Sequence, residues 1–343
     1  MKDKVSLTIG IPIYNGEHTI RKTLDSIIVQ INSKLTKLCT LEILICDNCS
    51  TDKTANIIKK EYLQKYKNII KYHKNSTNVG AAKNIKVVFD NASGEYVWLL
   101  GDDVHKNNSL YEAVNLLQSK TNPDLIIVQS EFLNEHGALK KHSYNKTKSD
   151  HYSITGIDYM EDQKDDVLTF ISALILSKSF FQTHFQDYFF ENYFPHLMLI
   201  YKNISIMKFE IINKILITKS IYIWENSTPN IRAQIIIDYI KATSLLLKYK
   251  LENDYFINRV FLSSVKFSPD ICESQKTDEF LNAIQPIKRR FGILQKLILH
   301  TLITLPCRKL IINFLETGVT VYFSMRKTFH TMKNILSFKT KSA

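Results

Sequence analysis

The chain has 343 residues, of which 45% are hydrophobic and 23% charged, values that exclude a disordered or collagen-like chain and leave room for one large or two medium domains. Its five cysteines are odd in number and scattered, which argues against a disulfide framework and predicts reduced thiols. The net charge of +12 is uneven, because residues 286–343 hold eleven Lys or Arg against one acid, Glu316.

Met-Lys-Asp-Lys runs straight into a strand pattern, so no secretory leader is expected. Val5 to Ile13 reads as a buried strand, and Gly16 to Ile31 as a helix with Ile20, Leu24, Ile27, Ile28 and Ile31 at helical spacing. Leu41 to Cys46 is a second strand, followed by a helix that Thr51 or Asp52 caps. Ile69 to His73 is a short strand, Ala81 to Asn91 a helix and Tyr96 to Leu100 the next strand. Helix Ser109–Ser119 and strand Asp124–Gln129 continue the rhythm. Strands alternating with helices, without tight hairpins, predict a mainly parallel α/β sheet with right-handed crossovers.

Beyond Gly137 the pattern loses regularity. Lys140 to Ser153 reads as a polar, mobile loop, and Leu168 to Leu176 as an apolar run of ambiguous type. Arg232 to Lys250 and Tyr255 to Phe267 read as amphipathic helices. The expected organisation is a nucleotide half over residues 1–110, an acceptor half over 111–227, a helical region over 228–285 and a basic tail over 286–343.

The chemistry gathers where strands end. Trp98-Leu99-Leu100-Gly101-Asp102-Asp103 is an apolar strand closing on two adjacent carboxylates. Such a pair suits a hard divalent cation, Mg²⁺ or Mn²⁺, and through it a diphosphate; Gly-Asp-Asp is equally an ordinary turn after a strand. Two more strand ends, Ile11 to Glu17 and Asp47 to Asp52, carry polar clusters, and Asn78 to Asn84 opens a helix. In a parallel sheet these ends share one edge, where ligands bind. An aromatic ring (Tyr14), carboxylates and helix N-termini there suit a base, a ribose and a metal-bound diphosphate.

The four segments resemble, in order and spacing, those of family 2 glycosyltransferases of the GT-A fold. The family pattern is Pro-x-Tyr-Asn, then Asp-Asp/Asn-x-Ser-x-Asp, then Asn-x-Gly-x-x-x-Asn, then Asp-x-Asp, and residues 5–105 carry the match. The Leu-Leu-Gly-Asp-Asp form is similar to the abequosyltransferase-like subgroup, which builds bacterial surface polysaccharides. The resemblance implies a GT-A fold, Rossmann-like with flanking helices, plus a helical C-terminal region. By the same match Pro12 and Tyr14 frame the nucleobase, Asp47 meets the pyrimidine edge, Glu17 follows the Asn-Gly turn and Asp52 closes its loop. Lys83 stands where Arg is usual, so its contact with a phosphate or base would be monodentate. Asp102 and Asp103 match the metal end of Asp-x-Asp, with Asp102 also on the donor side, but the first Asp of that motif is Leu100 here.

The implied reaction is an inverting transfer from a nucleoside-diphosphate sugar, in which a carboxylate or His takes the acceptor proton. Family members often place that base in a Glu-Asp pair, and the nearest equivalent is Glu191-Asn192. Glu191 and His196 are the two candidates, with Asp165 and Asp166 behind them. Leu100 and Asn192 also fit a different class, a degenerate nucleotide-sugar-binding or assembly protein. A nucleotidyltransferase ranks lower, for want of a basic Gly-rich N-terminal loop. Cys46 and Cys49 spell C-x-x-C, but no second pair accompanies them for zinc; packing against Asp47 is expected. His105 stands within reach of the metal position or at the surface.

In the tail, bulky apolar residues such as Ile293, Leu297 and Leu302 interleave with Lys288, Arg289, Arg290, Lys296 and Arg308. No apolar run reaches the ~20 residues of a spanning helix. The pattern suits a basic amphipathic helix on an anionic bilayer rather than nucleic acid; a helix packed on the protein's own core is the other reading. A cytoplasmic enzyme held at the inner face of the cell membrane fits a polyprenyl-diphosphate-linked glycan as acceptor.

Overall fold

The computed structural model describes residues 4–119, 121–133, 139–142, 149–162, 167–219, 228–249, 251, 257–260, 264, 268–288 and 290. Strand β1 (Val5–Ile13) leads to helices α1 (Ile20–Ile28) and α2 (Ser33–Leu38), then β2 (Cys39–Asp47). Helix α3 (Thr54–Ile57) widens into a π-helical turn over Ile58–Leu63, followed by β3 (Ile70–Lys74), α4 (Ala81–Asn91) and β4 (Tyr96–Leu99). Next come β5 (Val104–His105), α5 (Ser109–Leu117), β6 (Leu125–Leu133), β7 (Leu139–His142), β8 (His151–Thr155) and α6 (Gly156–Asp162). After them lie β9 (Leu174–Ser177), α7 (Lys178–His184), α8 (Pro195–Asn203) and β10 (Lys208–Lys219).

Among the described residues ten strands join one sheet in the order β3-β2-β1-β4-β9-β6-β10-β5, with β7 beside β6 and β8 beside β10. Strands β3, β2, β1 and β4 are parallel, β6 is parallel to β10, and β9 runs antiparallel between β4 and β6. The sheet is therefore mainly parallel, as the β–α rhythm predicts. It runs on past residue 110, so the two halves expected on either side of that position share one sheet. Leu7, Ile9 and Ile11 on β1 and the consecutive residues Ile43, Leu44, Ile45 and Cys46 on β2 are buried, as in a sheet covered on both faces. Each Leu or Ile side chain among them contributes about 1.5–3 kcal/mol by leaving water. Gly10 faces helix α4: a Cβ there would lie 2.2 Å from Val88 Cγ1, so glycine lets α4 approach the sheet.

The expected polar loop at Lys140–Ser153 is partly strand: residues to His142 lie in β7, and His151–Ser153 lie in β8, paired with β10. The ambiguous run Leu168–Leu176 resolves into two 3₁₀ turns, Val167–Thr169 and Ile171–Ala173, leading into β9. Strand β10 has no counterpart among the sequence expectations.

The chain divides into two compact units. The first holds the sheet, with residues 242–251 returning to it. The second takes 228–241 and the described residues from 257 onward. It contains most of α9 (Pro229–Ser244), with α10 (Ser268–Glu273) and α11 (Thr277–Lys288). Arg232 pairs with Asp270 at 2.7 Å and Lys241 with Glu279 at 2.9 Å. The helix expected over Arg232–Lys250 ends at Ser244 and tightens into a 3₁₀ turn at Leu245–Tyr249. Of the helix expected over Tyr255–Phe267, residues 257–260 and 264 are helical and the others lie outside the described residues. The basic tail lies outside them too, save Pro286–Lys288 in α11 and Arg290. Among the described residues no helix is long and apolar enough to cross a membrane.

Candidate active site at the carboxyl edge of the sheet

The parallel register aligns the strand ends. Ile13 pairs with Asp47 and Asp47 with Lys74. On the other side of β1, Gly10 pairs with Leu99, and the Leu100 amide donates to the Gly10 carbonyl at 2.9 Å. The segments that follow Ile13, Asp47 and Leu100 thus leave the sheet from neighbouring strands at one edge.

Hydrogen bonds then tie the first two loops together. Asn15 N donates to Ser50 Oγ at 2.9 Å, and Thr51 N donates back to Asn15 Oδ1 at 2.9 Å. Glu17 N donates to Asp52 Oδ2 at 3.0 Å, while Lys53 N donates to Glu17 Oε2 at 2.9 Å. Glu17 and Asp52 therefore clasp the loops reciprocally. Burial would raise the Asp52 carboxyl, but the hydroxyl and amide of Thr54 and the Glu17 amide outweigh it and hold the carboxyl low. Asn15 and Cys49 take positive φ, 52° and 66°, where the chain turns away from the strands; Asn tolerates this better than most residues.

Asp47 is fully buried. Its Oδ1 accepts from Ser50 N at 2.7 Å and its Oδ2 from the Tyr72 hydroxyl at 2.6 Å. An asparagine network links this loop to the fourth segment. Asn48 Nδ2 donates to Asn78 Oδ1 at 2.7 Å, and Asn48 Oδ1 accepts from Val79 N and from Asn75 Nδ2. Asn84, in the first turn of α4, donates to the Cys46 carbonyl at 2.9 Å and accepts from Asn75. The expected packing role of Cys46 matches its burial, which pushes its thiol up to about 12.

Tyr14 is 47% exposed, free to offer a ring face, and Pro12 is half-buried beside it in sequence. Lys83 is exposed on the first turn of α4, its Nζ 6.0 Å from the centre of the Phe190 ring. That contact brings Phe190 of the turn Asp187–Glu191 to the first turn of α4, and Glu191 in the same turn is exposed. His196 is buried. Its ring sits in the first turn of α8 at 3% exposure, near the Leu168 and Thr169 carbonyls, and burial drives its pKa down to about 4. Asn192 is buried and accepts from Phe194 N at 2.8 Å. Asp165 and Asp166 lie outside the described residues.

At the end of β4, Leu100 is fully buried, which explains how an apolar residue occupies a position where an acid is usual. Asp103 is 5% exposed, and its Oδ2 accepts from Ser172 Oγ at 2.6 Å. Burial pushes the half-buried Asp102 carboxyl up, against weaker pulls from its own amide and from Lys219. Two desolvated carboxylates are the donor type that Mg²⁺ or Mn²⁺ takes, usually with phosphate and water completing the shell. No group of three or more His, Cys, Asp or Glu suited to a metal occurs among the described residues, so phosphate or water oxygens would have to complete the shell here. His105 is neither a metal-facing nor a surface residue. It is buried with its ring edge-on to Trp98 at 4.3 Å and Nδ1 2.8 Å from Ser109 Oγ.

Two residues that the motif pattern does not single out complete the site. Ser172 accepts from Gly101 N at 3.0 Å, donates to Asp103, and receives Trp98 Nε1 on its carbonyl at 2.9 Å. Its only mark in the sequence is being a polar residue inside an apolar run. Lys219, the last residue of β10, faces the two acids from a strand that the sequence pattern did not show.

The sheet order and this edge define a GT-A glycosyltransferase fold. A model of glycosyl transferase family 2 matches residues 8–185, and the chain belongs to that family. It is 34% identical over 97 residues to the abequosyltransferase RfbV of Salmonella typhimurium, covering 28% of each chain. It is 33% identical over 116 residues to the putative glycosyltransferase EpsE of Bacillus subtilis, covering 34% of this chain and 38% of that one. With the poly(ribitol-phosphate) beta-glucosyltransferase of Bacillus spizizenii it shares 25% identity over 213 residues, 54% of this chain and 32% of the relative. The chain thus matches only about a third of these relatives' length. Among solved structures, S. aureus TarS 1–349 in complex with UDP superimposes with a TM-score of 0.60 at 16% identity, covering 92% of both chains.

Proposed function

We propose that this protein transfers a sugar from a nucleoside-diphosphate sugar to a hydroxyl of a lipid-linked bacterial surface glycan, with inversion at the anomeric carbon. The observation that carries the reading is the meeting, at one sheet edge, of the clasped Pro12–Glu17 and Asp47–Asp52 loops with Asp102 and Asp103. Relatives named for abequosyl and glucosyl transfer support it. So do fold neighbours solved with UDP-GlcNAc, and with GDP-Man and Mn²⁺.

In this reading Pro12 and Tyr14 hold the nucleobase, Asp47, fully buried and bonded to Ser50 and Tyr72, shapes the loop beneath it rather than meeting its edge, and Glu17 and Asp52 keep the two loops closed around it. Lys83 reaches a phosphate or the base as a point charge. Asp102 and Asp103 would hold a Mg²⁺ or Mn²⁺ ion, whose charge offsets that of a departing diphosphate. The acceptor oxygen attacks the anomeric carbon, the bond to the diphosphate oxygen breaks on the opposite face, and the hydroxyl proton passes to the Glu191 carboxylate. Glu191 is preferred to His196, because a buried imidazole at about pKa 4 is reached poorly by a substrate hydroxyl and resists becoming cationic.

The basic tail places the enzyme at the cytoplasmic face of the cell membrane, each Lys or Arg near the surface adding about 1 kcal/mol. Deleting residues 286–343 should release the protein into the soluble fraction; unchanged fractionation would remove the membrane from the reading.

The deciding experiment screens UDP-, GDP-, dTDP- and CDP-sugars for hydrolysis with Mn²⁺. One donor should turn over, and Asp102→Asn and Asp103→Asn should each cut the rate by about two orders of magnitude. Full activity in both variants rejects the metal assignment. A second reading, a nucleotide-sugar-binding protein without transfer activity, is favoured by buried Leu100 and by Asn192 in place of an acid. Donor binding by calorimetry, with no turnover on any acceptor, would select it.

A further inference from the structure

We propose that Lys219 is a diphosphate-binding residue, a protein cation set beside Asp102 and Asp103 to hold the phosphate end of the donor. The inference rests on the glycosyl-transfer reading and adds to it a residue outside the four motif segments. The β10–β5 ladder pairs Ile217 with His105 and Thr218 with Val104. One step further in this antiparallel register sets Lys219 opposite Asp103. On its other side β10 pairs Lys219 with Phe132 of β6, so the residue ends a strand fixed on both edges.

The side chain has a defined seat. Its Nζ lies 5.0 Å from the centre of the Phe170 ring. Two residues along, Ser172 holds Asp103 through its hydroxyl. Burial lowers the pKa of its ammonium, and the charges of Asp103 and then of Asp102 raise it in opposition. Asp102 in turn responds to Lys219. Lys219 is only partly exposed, so its charge is screened less than that of a surface lysine.

Two carboxylates and one ammonium at this edge leave a net negative site that a single divalent cation turns positive. A diphosphate would then meet two sources of positive charge, the ion that Asp102 and Asp103 would hold and Lys219. Without the metal, the ammonium of Lys219 still acts on both carboxylates. Phosphate oxygens bonded to an ammonium form charge-assisted hydrogen bonds, stronger than neutral ones.

The test titrates UDP, GDP, dTDP and CDP, and their parent nucleosides as competitors, in EDTA, against wild type, Lys219→Met and Lys219→Arg. Methionine keeps much of the aliphatic stem, and equal urea midpoints certify the fold. Lys219→Met should weaken the diphosphate that wild type binds by about tenfold and leave its nucleoside unchanged, with Lys219→Arg recovering most of the loss. Mn²⁺ alone, titrated without nucleotide, should bind Lys219→Met severalfold more tightly, because a repelling charge has gone. An unchanged diphosphate affinity, an equal loss for the nucleoside, or an unchanged Mn²⁺ affinity overturns the assignment. If wild type binds no nucleoside diphosphate, with or without Mn²⁺, the glycosyl-transfer reading falls first; if it binds one that Lys219→Met holds equally well, only Lys219 falls.

Discussion

Ser172 holds Asp103 by a 2.6 Å hydrogen bond from its hydroxyl, while the same oxygen receives the Gly101 amide at 3.0 Å. One buried side chain thus fixes both the turn after β4 and the direction of its second carboxylate. Removing it takes one partner from the part-buried Gly101 N–H and one from the buried Asp103 carboxylate. Ser172→Ala should cost about 1–3 kcal/mol and weaken Mn²⁺ binding. Urea unfolding and a metal titration check this, and a variant indistinguishable from wild type in both would show that Asp103 is held by other groups.

Glu42 is a stability residue of the same sheet, remote from the chemistry. It accepts from the Thr8 hydroxyl at 2.6 Å and the Ser93 amide at 2.8 Å, and pairs with Lys71 at 2.6 Å. Burial alone would raise its carboxyl, but Lys71, the Ser93 amide and the hydroxyls of Thr8 and Ser93 together hold it below the usual range. A depressed folded pKa contributes stability above the unfolded value and loses it as pH falls through the folded one. Glu42→Gln should therefore cost about 2 kcal/mol at pH 7, and the gap to wild type should narrow in acid. A gap of constant size from pH 7 down to pH 3 would contradict this account.

His196 and His105 act in the opposite chemical sense. Burial lowers their pKa values to about 4 and about 3, whereas the unfolded chain protonates near 6.5. The unfolded state then binds more protons below pH 6.5, so stability falls with pH from there down to the folded values. Replacing His196 with Phe should flatten part of that slope, read as the difference between urea midpoints at pH 7 and pH 5. An unchanged slope would place the acid sensitivity elsewhere.

What the sequence disclosed, and what it hid, follows from periodicity. Strands β1, β2 and β4 are apolar and end at residues of unusual type, so Tyr14, Asp47 and Asp102 stand out. Strand β10 is long but irregular: its register against β6 shifts between Ile212 and Ile215, and again between Ile215 and Ile217. Such bulges break the two-residue alternation by which a strand is recognised, and Lys219 went unseen with it. Ser172 sits inside the second of two 3₁₀ turns, which carry no period. The burial of His196 was equally illegible, because Pro195 opens a helix whose first seven residues are all buried, leaving no polar face to mark its orientation.

The reciprocal clasp between Glu17 and Asp52 has a consequence for anyone wishing to retarget the donor. Each loop supplies the acceptor for the other's backbone amide, so neither carries its shape alone. A loop transplanted from a homologue would arrive without its counterpart and leave two amide donors unanswered. Exchanging specificity in this scaffold therefore means moving residues 12–17 and 47–54 as a single cassette, with Tyr72, Asn75, Asn78 and Asn84 behind them left in place.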